Sequence, residues 1–332
     1  MIDNLKETNF EDVLGQELVK KELKSALIMN RHIIIVGPPG IGKTTLARNI
    51  ARLLPEIEVV MGCEFNCSPK NPVCPECKSK KDLKKIKIKG EERFIRIQGS
   101  PDLTAEDLLG DIDPIKALKS GPLSLEAFTP GKIFKANNGI LFFDEVNRCP
   151  EKLQNALLQV LQEGKATLGS YDVDIPANFI FIGTMNPEDF STERLSDVFV
   201  DRFDFVYMGY PQSLDIEREI VKKQGKKIEV DFPENLLDLS ITFIRELRDN
   251  DNLEKHPSVR ASLGLYERAQ SNCLLDGRKK VNFKDIKDAV VSVVSHRIKL
   301  KPSVKYIENP KNFIVKEFSK HLDEHEEKGG DG

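Results

Sequence analysis

Three stretches of the chain are apolar without interruption: Ile33-Ile34-Ile35-Val36, Gly139-Ile140-Leu141-Phe142-Phe143 and Phe179-Ile180-Phe181-Ile182. A strand with no polar face is covered on both sides, as inside a parallel α/β sheet. Segments of helical period lie between them. Leu18, Val19, Leu23, Leu27 and Ile28 recur at helical spacing after the turn Val13-Leu14-Gly15-Gln16. Leu153, Ala156, Leu157, Val160 and Leu161 form a stripe between Pro150 and Gly164. Two segments alternate instead: Arg93-Phe94-Ile95-Arg96-Ile97 predicts a strand, and Ala166 to Ile175 a β-hairpin around Gly169-Ser170. Beyond Pro211 no strong buried strand is visible. Helical patterns cover Leu214 to Gln224, Pro233 to Asp249, Val259 to Leu275 and Phe283 to Ile298. The predicted fold is α/β, a parallel sheet flanked by helices, followed by an all-helical domain. The boundary falls near Gly209-Tyr210-Pro211.

Two stretches break the first pattern. After a short strand at Glu58-Val59-Val60-Met61, residues 62–90 carry four cysteines and a lysine-rich run, a poor core segment that reads as a surface insertion. Residues 98–132 are mixed and punctuated by glycine, a second insertion with a short helix. The expected domains are therefore a nucleotide-binding core over 1–211 holding both insertions, helices over 212–300, and a polar tail over 301–332 that frays toward its acidic end.

Composition adds bounds. A length of 332 residues predicts two domains, and 39% hydrophobic with 31% charged residues describes a water-soluble globular chain. No run approaches 18 apolar residues, and Met1 to Phe10 is too polar for a signal peptide, so a cytoplasmic location is expected and no membrane association. A net charge of −3 gives no global attraction to nucleic acid, which makes a nucleic-acid partner unlikely. The lysines after Cys77 could serve one locally, but such a run is more often a solvated loop.

The chemistry concentrates between the first apolar run and the helix after it. Gly37-Pro38-Pro39-Gly40-Ile41-Gly42-Lys43-Thr44 is G-x-x-x-x-G-K-[ST] in the setting of strand, glycine turn and helix that gives the motif meaning. Glycines let the backbone turn tightly and aim N–H groups at phosphate oxygens. The helix starting near Thr45 adds its positive end, Lys43 a charge, and Thr44 a hydroxyl for Mg²⁺. ATP with Mg²⁺ is the expected ligand. Asp144 and Glu145 end the second apolar run, where a parallel sheet places its ligand crevice. There Asp144 suits Mg²⁺ and Glu145 the attacking water. Asn186, in Thr184-Met185-Asn186-Pro187 after the third run, is placed to meet the γ-phosphate and that water. Arg202, in Asp201-Arg202-Phe203, and Arg260, in Pro257-Ser258-Val259-Arg260, are candidate guanidiniums for transition-state charge.

This set resembles the AAA+ ATPases, and within them the branch holding MoxR ATPases and the I subunit of magnesium chelatase. Leu53-Leu54-Pro55-Glu56-Ile57-Glu58-Val59-Val60, Gly110-Asp111-Ile112-Asp113, Phe128-Thr129-Pro130-Gly131 and Gly183-Thr184-Met185-Asn186-Pro187 look chelatase-like. Asn147-Arg148, Gly209-Tyr210-Pro211 and Pro257 to Arg260 look more like MoxR. The resemblance spans about residues 10 to 300. It implies a homo-oligomeric ring, a hexamer, with Arg202 acting in trans and Arg260 in a helical lid. It also implies a partner, either a chelatase D-like subunit or a von Willebrand A-domain protein. The function expected is a chelatase-type motor remodelling a partner for metal insertion, with a MoxR-type chaperone as the alternative and a nucleic-acid motor behind both.

The cysteines depart from the usual chelatase I subunit. Cys63, Cys67, Cys74 and Cys77 follow C-x3-C-x6-C-x2-C and supply four thiolates within 15 residues. Clustering of this kind in a reducing compartment points to a metal more than to cross-links. Zn²⁺ is the first expectation, an iron–sulfur cluster the alternative, and a metal-free loop remains open. Cys149, Cys273 and the five histidines show no paired spacing that suggests catalysis.

Overall fold

The computed structural model describes residues 10, 12–121, 127–168, 173–187 and 195–329. Five strands, numbered here in chain order, form one parallel sheet: β1 (His32–Val36), β2 (Phe94–Gln98), β3 (Ile140–Asp144), β4 (Ile180–Met185) and β5 (Phe203–Tyr207). Their order across the sheet is β5-β1-β4-β3-β2. The three apolar runs are the three inner strands, and Ile33, Ile34, Ile35 and Ile140 to Phe143 are fully buried. Each inner strand is covered on both faces, which is why its sequence shows no alternation.

Three helices serve this sheet: α1 (Glu17–Ile28), α2 (Lys43–Leu53) and α3 (Glu151–Glu163). α1 buries Val19, Leu23, Ala26 and Leu27, whereas Leu18, which fits the same spacing, is 68% exposed. Short ribbons decorate the sheet. Ile57–Val60 pairs antiparallel with Lys85–Ile88, so the strand expected near Glu58 belongs to the lysine-rich insertion rather than to the main sheet. Gly110–Ile112 pairs with Phe128–Pro130, and Lys165–Leu168 with Val173–Pro176. The tip of that last hairpin, at Gly169-Ser170, lies outside the described residues, as does the lead-in before Phe10.

The chain divides into two compact units, residues 1–37 with 42–208, and residues 38–41 with 209–332. The second unit is built on α4 (Leu214–Gln224), α5 (Glu234–Arg248), α6 (Val259–Leu275), α7 (Phe283–Val294) and α8 (Pro310–Gly329). Two details differ from the expectation. A ribbon of Leu253–Lys255 with Lys299–Leu300 sits among the helices. The segment expected as a polar tail instead holds α8, whose Phe313, Ile314 and Phe318 are buried with Phe243 and Ile244 in one core. The aromatic positions are few, but they fall on one helix face and fill a gap that the other helices leave. Among the described residues, no helix is long and apolar enough to cross a membrane.

Candidate functional site

β1, β4 and β3 are neighbours and run parallel, so their C-terminal ends reach one edge of the sheet. The register aligns Val36 with Met185, Gly183 with Phe143, and Asp144 with Gln98 of β2. This edge collects Lys43, Asp144, Glu145 and Asn186 from positions far apart in sequence. β1 ends and the chain turns into α2 through Gly40 and Gly42, at φ 76° and 98°. Both values lie in the left-handed region that glycine adopts without strain. Lys43 Nζ donates to Gly37 O at 2.5 Å, folding the ammonium back over the turn. Thr44 and Thr45 are half-buried in the first turn of α2.

Asp144 is held on both oxygens. Thr184 Oγ1 donates to Oδ1 at 2.6 Å, and Arg96 Nη2 donates to Oδ2 at 2.6 Å. The same Thr184 hydroxyl accepts from the Glu145 backbone N–H at 2.9 Å, so one buried hydroxyl fixes the spacing of the two acids. Glu145 itself sits at φ 56°, a left-handed conformation that costs a non-glycine residue energy and turns its carboxylate away from the strand. That carboxylate accepts from Gln98 Nε2 at 3.0 Å and lies 3.3 Å from Arg148 Nη1. Asn186 follows β4 half-buried, and its carbonyl accepts from Asn147 Nδ2 at 3.5 Å.

Arg202 is placed otherwise. It precedes β5, and β5 begins beside the start of β1, with His32 paired to Phe203. The length of β1, roughly 13 Å at a strand's rise per residue, separates that end from the glycine turn. Arg202 Nε is buried and lacks a hydrogen-bond partner. In the second unit, Arg260 opens α6 behind the Ser258 cap and is exposed. A Cβ on Gly40, which belongs to that unit, would fall 2.9 Å from Ser258 Oγ and 3.0 Å from Arg260 Cγ. Glycine at position 40 thus leaves room for the Ser258 hydroxyl and the Arg260 stem within that unit.

The four clustered cysteines converge. All four sulfurs lie within 4.8 Å of one another, with Cys67, Cys74 and Cys77 buried and Cys63 half-buried. Hydrogen bonding from Cys67 and then Cys74 pulls the Cys63 thiol down to about 2, while desolvation pushes Cys77 up to about 12. Proton sharing of this kind marks sulfurs packed closely enough to compete for negative charge.

From sequence, Arg96 and Gln98 have no part in the site, and Thr184 stands in the Asn186 motif without a role of its own. Arg96 sits on the expected alternating strand, whereas Gln98, expected to open the second insertion, is the last residue of that strand, and the partners of both follow from strand register alone.

A parallel sheet in the order β5-β1-β4-β3-β2, a glycine turn and lysine after β1, and an acid pair after β3 define a P-loop ATPase of the AAA+ class. The comparisons with known proteins agree. Residues 77–205 match the model of the ATPase family associated with various cellular activities, residues 9–69 that of magnesium chelatase subunit ChlI, and residues 246–315 that of the AAA lid domain. A magnesium-chelatase subunit ChlI homolog of Methanocaldococcus jannaschii is 31% identical over 330 residues, covering 88% of this chain and 86% of the relative. The chloroplastic magnesium-chelatase subunit ChlI-2 of Arabidopsis thaliana is 30% identical, covering 88% and 76%. The chain belongs to the magnesium chelatase ChlI family of AAA+ ATPases. Among solved structures, the fold is similar to a chain of the complex between subunits BchI and BchD of magnesium chelatase. That match has a TM-score of 0.50 at 22% identity and covers 90% of this chain and 98% of the other.

The family implies ATP and Mg²⁺, and the residues fit them. Gly40 and Gly42 hold the left-handed turn that lets backbone N–H groups face a phosphate, the Lys43 ammonium is at hand, and Thr44 and Asp144 provide hard oxygen donors.

Proposed function

We propose that this chain is the ATP-hydrolysing subunit of a chelatase-type machine. It works in a homo-oligomeric ring, a hexamer, and remodels a D-like partner subunit so that a metal ion enters a tetrapyrrole or similar cofactor. The observation that supports the engine is the shared sheet edge, where Lys43 and the Asp144–Glu145 pair converge while Arg202 stands at the opposite edge.

The roles follow from position. The turn from Gly37 to Thr45 cradles the triphosphate through the backbone N–H groups of its non-proline residues, Pro38 and Pro39 shaping the turn, with Lys43 against the outer oxygens. Thr44 and Asp144 would hold Mg²⁺, which when bound neutralises charge on those oxygens. Glu145 accepts the proton of the attacking water, and Asn186 orients that water. Arg202, too far along the sheet for its own turn, projects to a neighbouring protomer, and Arg260 responds to nucleotide from the second unit.

The relatives support the chelatase side of the branch. A MoxR-type chaperone with a von Willebrand A-domain partner, the alternative raised by the sequence, finds no such support. Glu145→Gln tests the engine. It retains ATP while turnover falls by about 10²–10⁴-fold, the range of a lost general base. Rapid hydrolysis by this variant would overturn the assignment. The same trapped variant, used to capture partners, should return a chelatase D-type subunit. Steeply salt-dependent stimulation by DNA would favour a nucleic-acid motor instead.

A further inference from the structure

The insertion over residues 62–90 has almost no core. Its small apolar cluster buries Cys67, Cys74 and Cys77 beside Val60 of the preceding ribbon, with Cys63, Phe65, Val73 and Leu83 only partly covered. Something other than hydrophobic burial must hold such a loop in one shape. The sulfurs show what. Cys63 Sγ and Cys74 Sγ are 3.8 Å apart, and the edge of a tetrahedron of thiolates at 2.3 Å from a central ion is about 3.8 Å. A disulfide would need two of the sulfurs at roughly 2 Å and would leave the other pair unexplained. In a multi-iron cluster the thiolates bind different irons and stand farther apart than four sulfurs within 4.8 Å allow.

The main chain around them is arranged for negative sulfur. Cys67 Sγ accepts from the backbone N–H groups of Val73 and Cys74, both at 3.3 Å, and Cys74 Sγ accepts from Cys77 N–H at 3.4 Å. Asn66 at φ 48° and Gly62 at φ 76° make the turns that bring Cys63 and Cys67 to the same point. Donor N–H groups that converge on sulfur stabilise thiolate, the form that binds metal.

The loop is also docked. Between Cys63 and Cys67, the Phe65 ring lies 5.4 Å from Phe134, and Phe65 O accepts from Asn137 Nδ2 at 2.9 Å. Asn66 Nδ2 donates to Lys135 O at 3.0 Å, and Glu64 pairs with Lys135 Nζ at 3.2 Å. Asn137 Oδ1 meanwhile accepts from Asn178 N–H at 3.0 Å, joining the entry of β3 to the entry of β4.

We propose that Cys63, Cys67, Cys74 and Cys77 bind one Zn²⁺ ion, and that this ion fastens residues 64–66 against the segment leading into β3, the strand that ends in Asp144. The inference stands apart from the ATPase reading, since it concerns the opposite end of that strand. Cys63 borders a cleft of 770 Å³ shared with Lys116, Phe128 and Ile175, which gives a chelator its way in.

Metal analysis of the purified full-length chain should find about one zinc per chain, with the four thiols resisting alkylation until a chelator is added. Absence of metal with four freely alkylated thiols, or iron with or without acid-labile sulfide, would overturn the site. Serine variants of the cysteines risk misfolding, so the clasp is tested on the natural chain. Stripping zinc should expose residues 62–90 to protease, and zinc alone should restore protection. A stripped chain that stays fully resistant would overturn the clasp even with zinc present. Phe65→Ala, which removes none of the four sulfurs, should keep its zinc and lower Tm. An unchanged Tm would remove the proposed coupling to β3.

Discussion

Arg96 occupies the outward oxygen of Asp144, the oxygen a metal would need. The pair is half-open to solvent on the arginine side, with side-chain exposures of 46% and 15%, so its strength is modest. Removing it still removes a competitor. Arg96→Met should lower the Mg²⁺ concentration that half-saturates ATP turnover, by roughly threefold, measured by magnesium titration at fixed ATP. A rise in that concentration would show that Arg96 assists the metal site. His32 carries a second prediction at this scale. Its Nδ1 accepts from Phe181 N–H at 3.1 Å, which requires a neutral ring nitrogen there. Burial first, then the nearby Arg31 charge, holds its pKa below the usual 6.5. The unfolded chain therefore takes up a proton before the folded one does. The stability this residue contributes is complete above about pH 6.5 and declines as pH falls toward its lowered folded value. Tm should drop on acidification through that window, and His32→Gln should flatten the drop. Asp144, Glu145 and Lys43 were readable in the sequence because their motif is local, whereas Arg96, Gln98 and Thr184 reach the acids across strands more than 35 positions away.

At the scale of elements, the second unit is pinned by a buried ion pair. Glu217 on α4 is fully buried and accepts from Arg248 Nη1 and Nη2 of α5 at 2.7 Å each, and from Ser262 Oγ of α6 at 2.6 Å. One carboxylate thus ties three helices, and the Arg248 guanidinium also stacks 4.6 Å from the Tyr210 ring. Replacing such a pair with apolar groups can be neutral, but removing one partner strands a charge. Arg248→Ala should cost about 3–5 kcal/mol, reduced somewhat by Arg245, whose Nη1 lies 3.5 Å from the same carboxylate. Denaturant unfolding of the full chain measures it, and a loss below about 1 kcal/mol would mean that the pair is dispensable. The helices α4 to α7 were legible because their apolar residues repeat at helical spacing over many turns. α8 was not, because its acidic end dominates the composition, while Phe313, Ile314 and Phe318 supply its buried face from few positions. The ribbon at Leu253–Lys255 and Lys299–Leu300 is too short to leave an alternating pattern.

For the whole molecule, the role proposed for Arg202 requires that two chains make one active site, and that requirement can be tested. The sheet places it just before β5, one strand length from the turn that carries Lys43, and its side chain is half-buried, with Nε shielded from solvent. An arginine that approaches transferred phosphate from a second subunit contributes on the order of 10³–10⁵ in rate, so either missing part should silence its pocket. Lys43→Ala and Arg202→Ala rings are each expected to be inactive, for different reasons. The first lacks the phosphate grip, and the second supplies no arginine to its neighbour. Mixed after dissociation and reassembled at equal amounts, they should recover activity. About half the pockets have an intact turn, and about half of those face an intact arginine, so turnover should return to roughly a quarter of the natural level. Mass spectrometry of differently tagged subunits confirms that the rings have mixed. Mixed rings that stay inactive would show that each pocket is completed within one chain, and Arg202 would then need a different role.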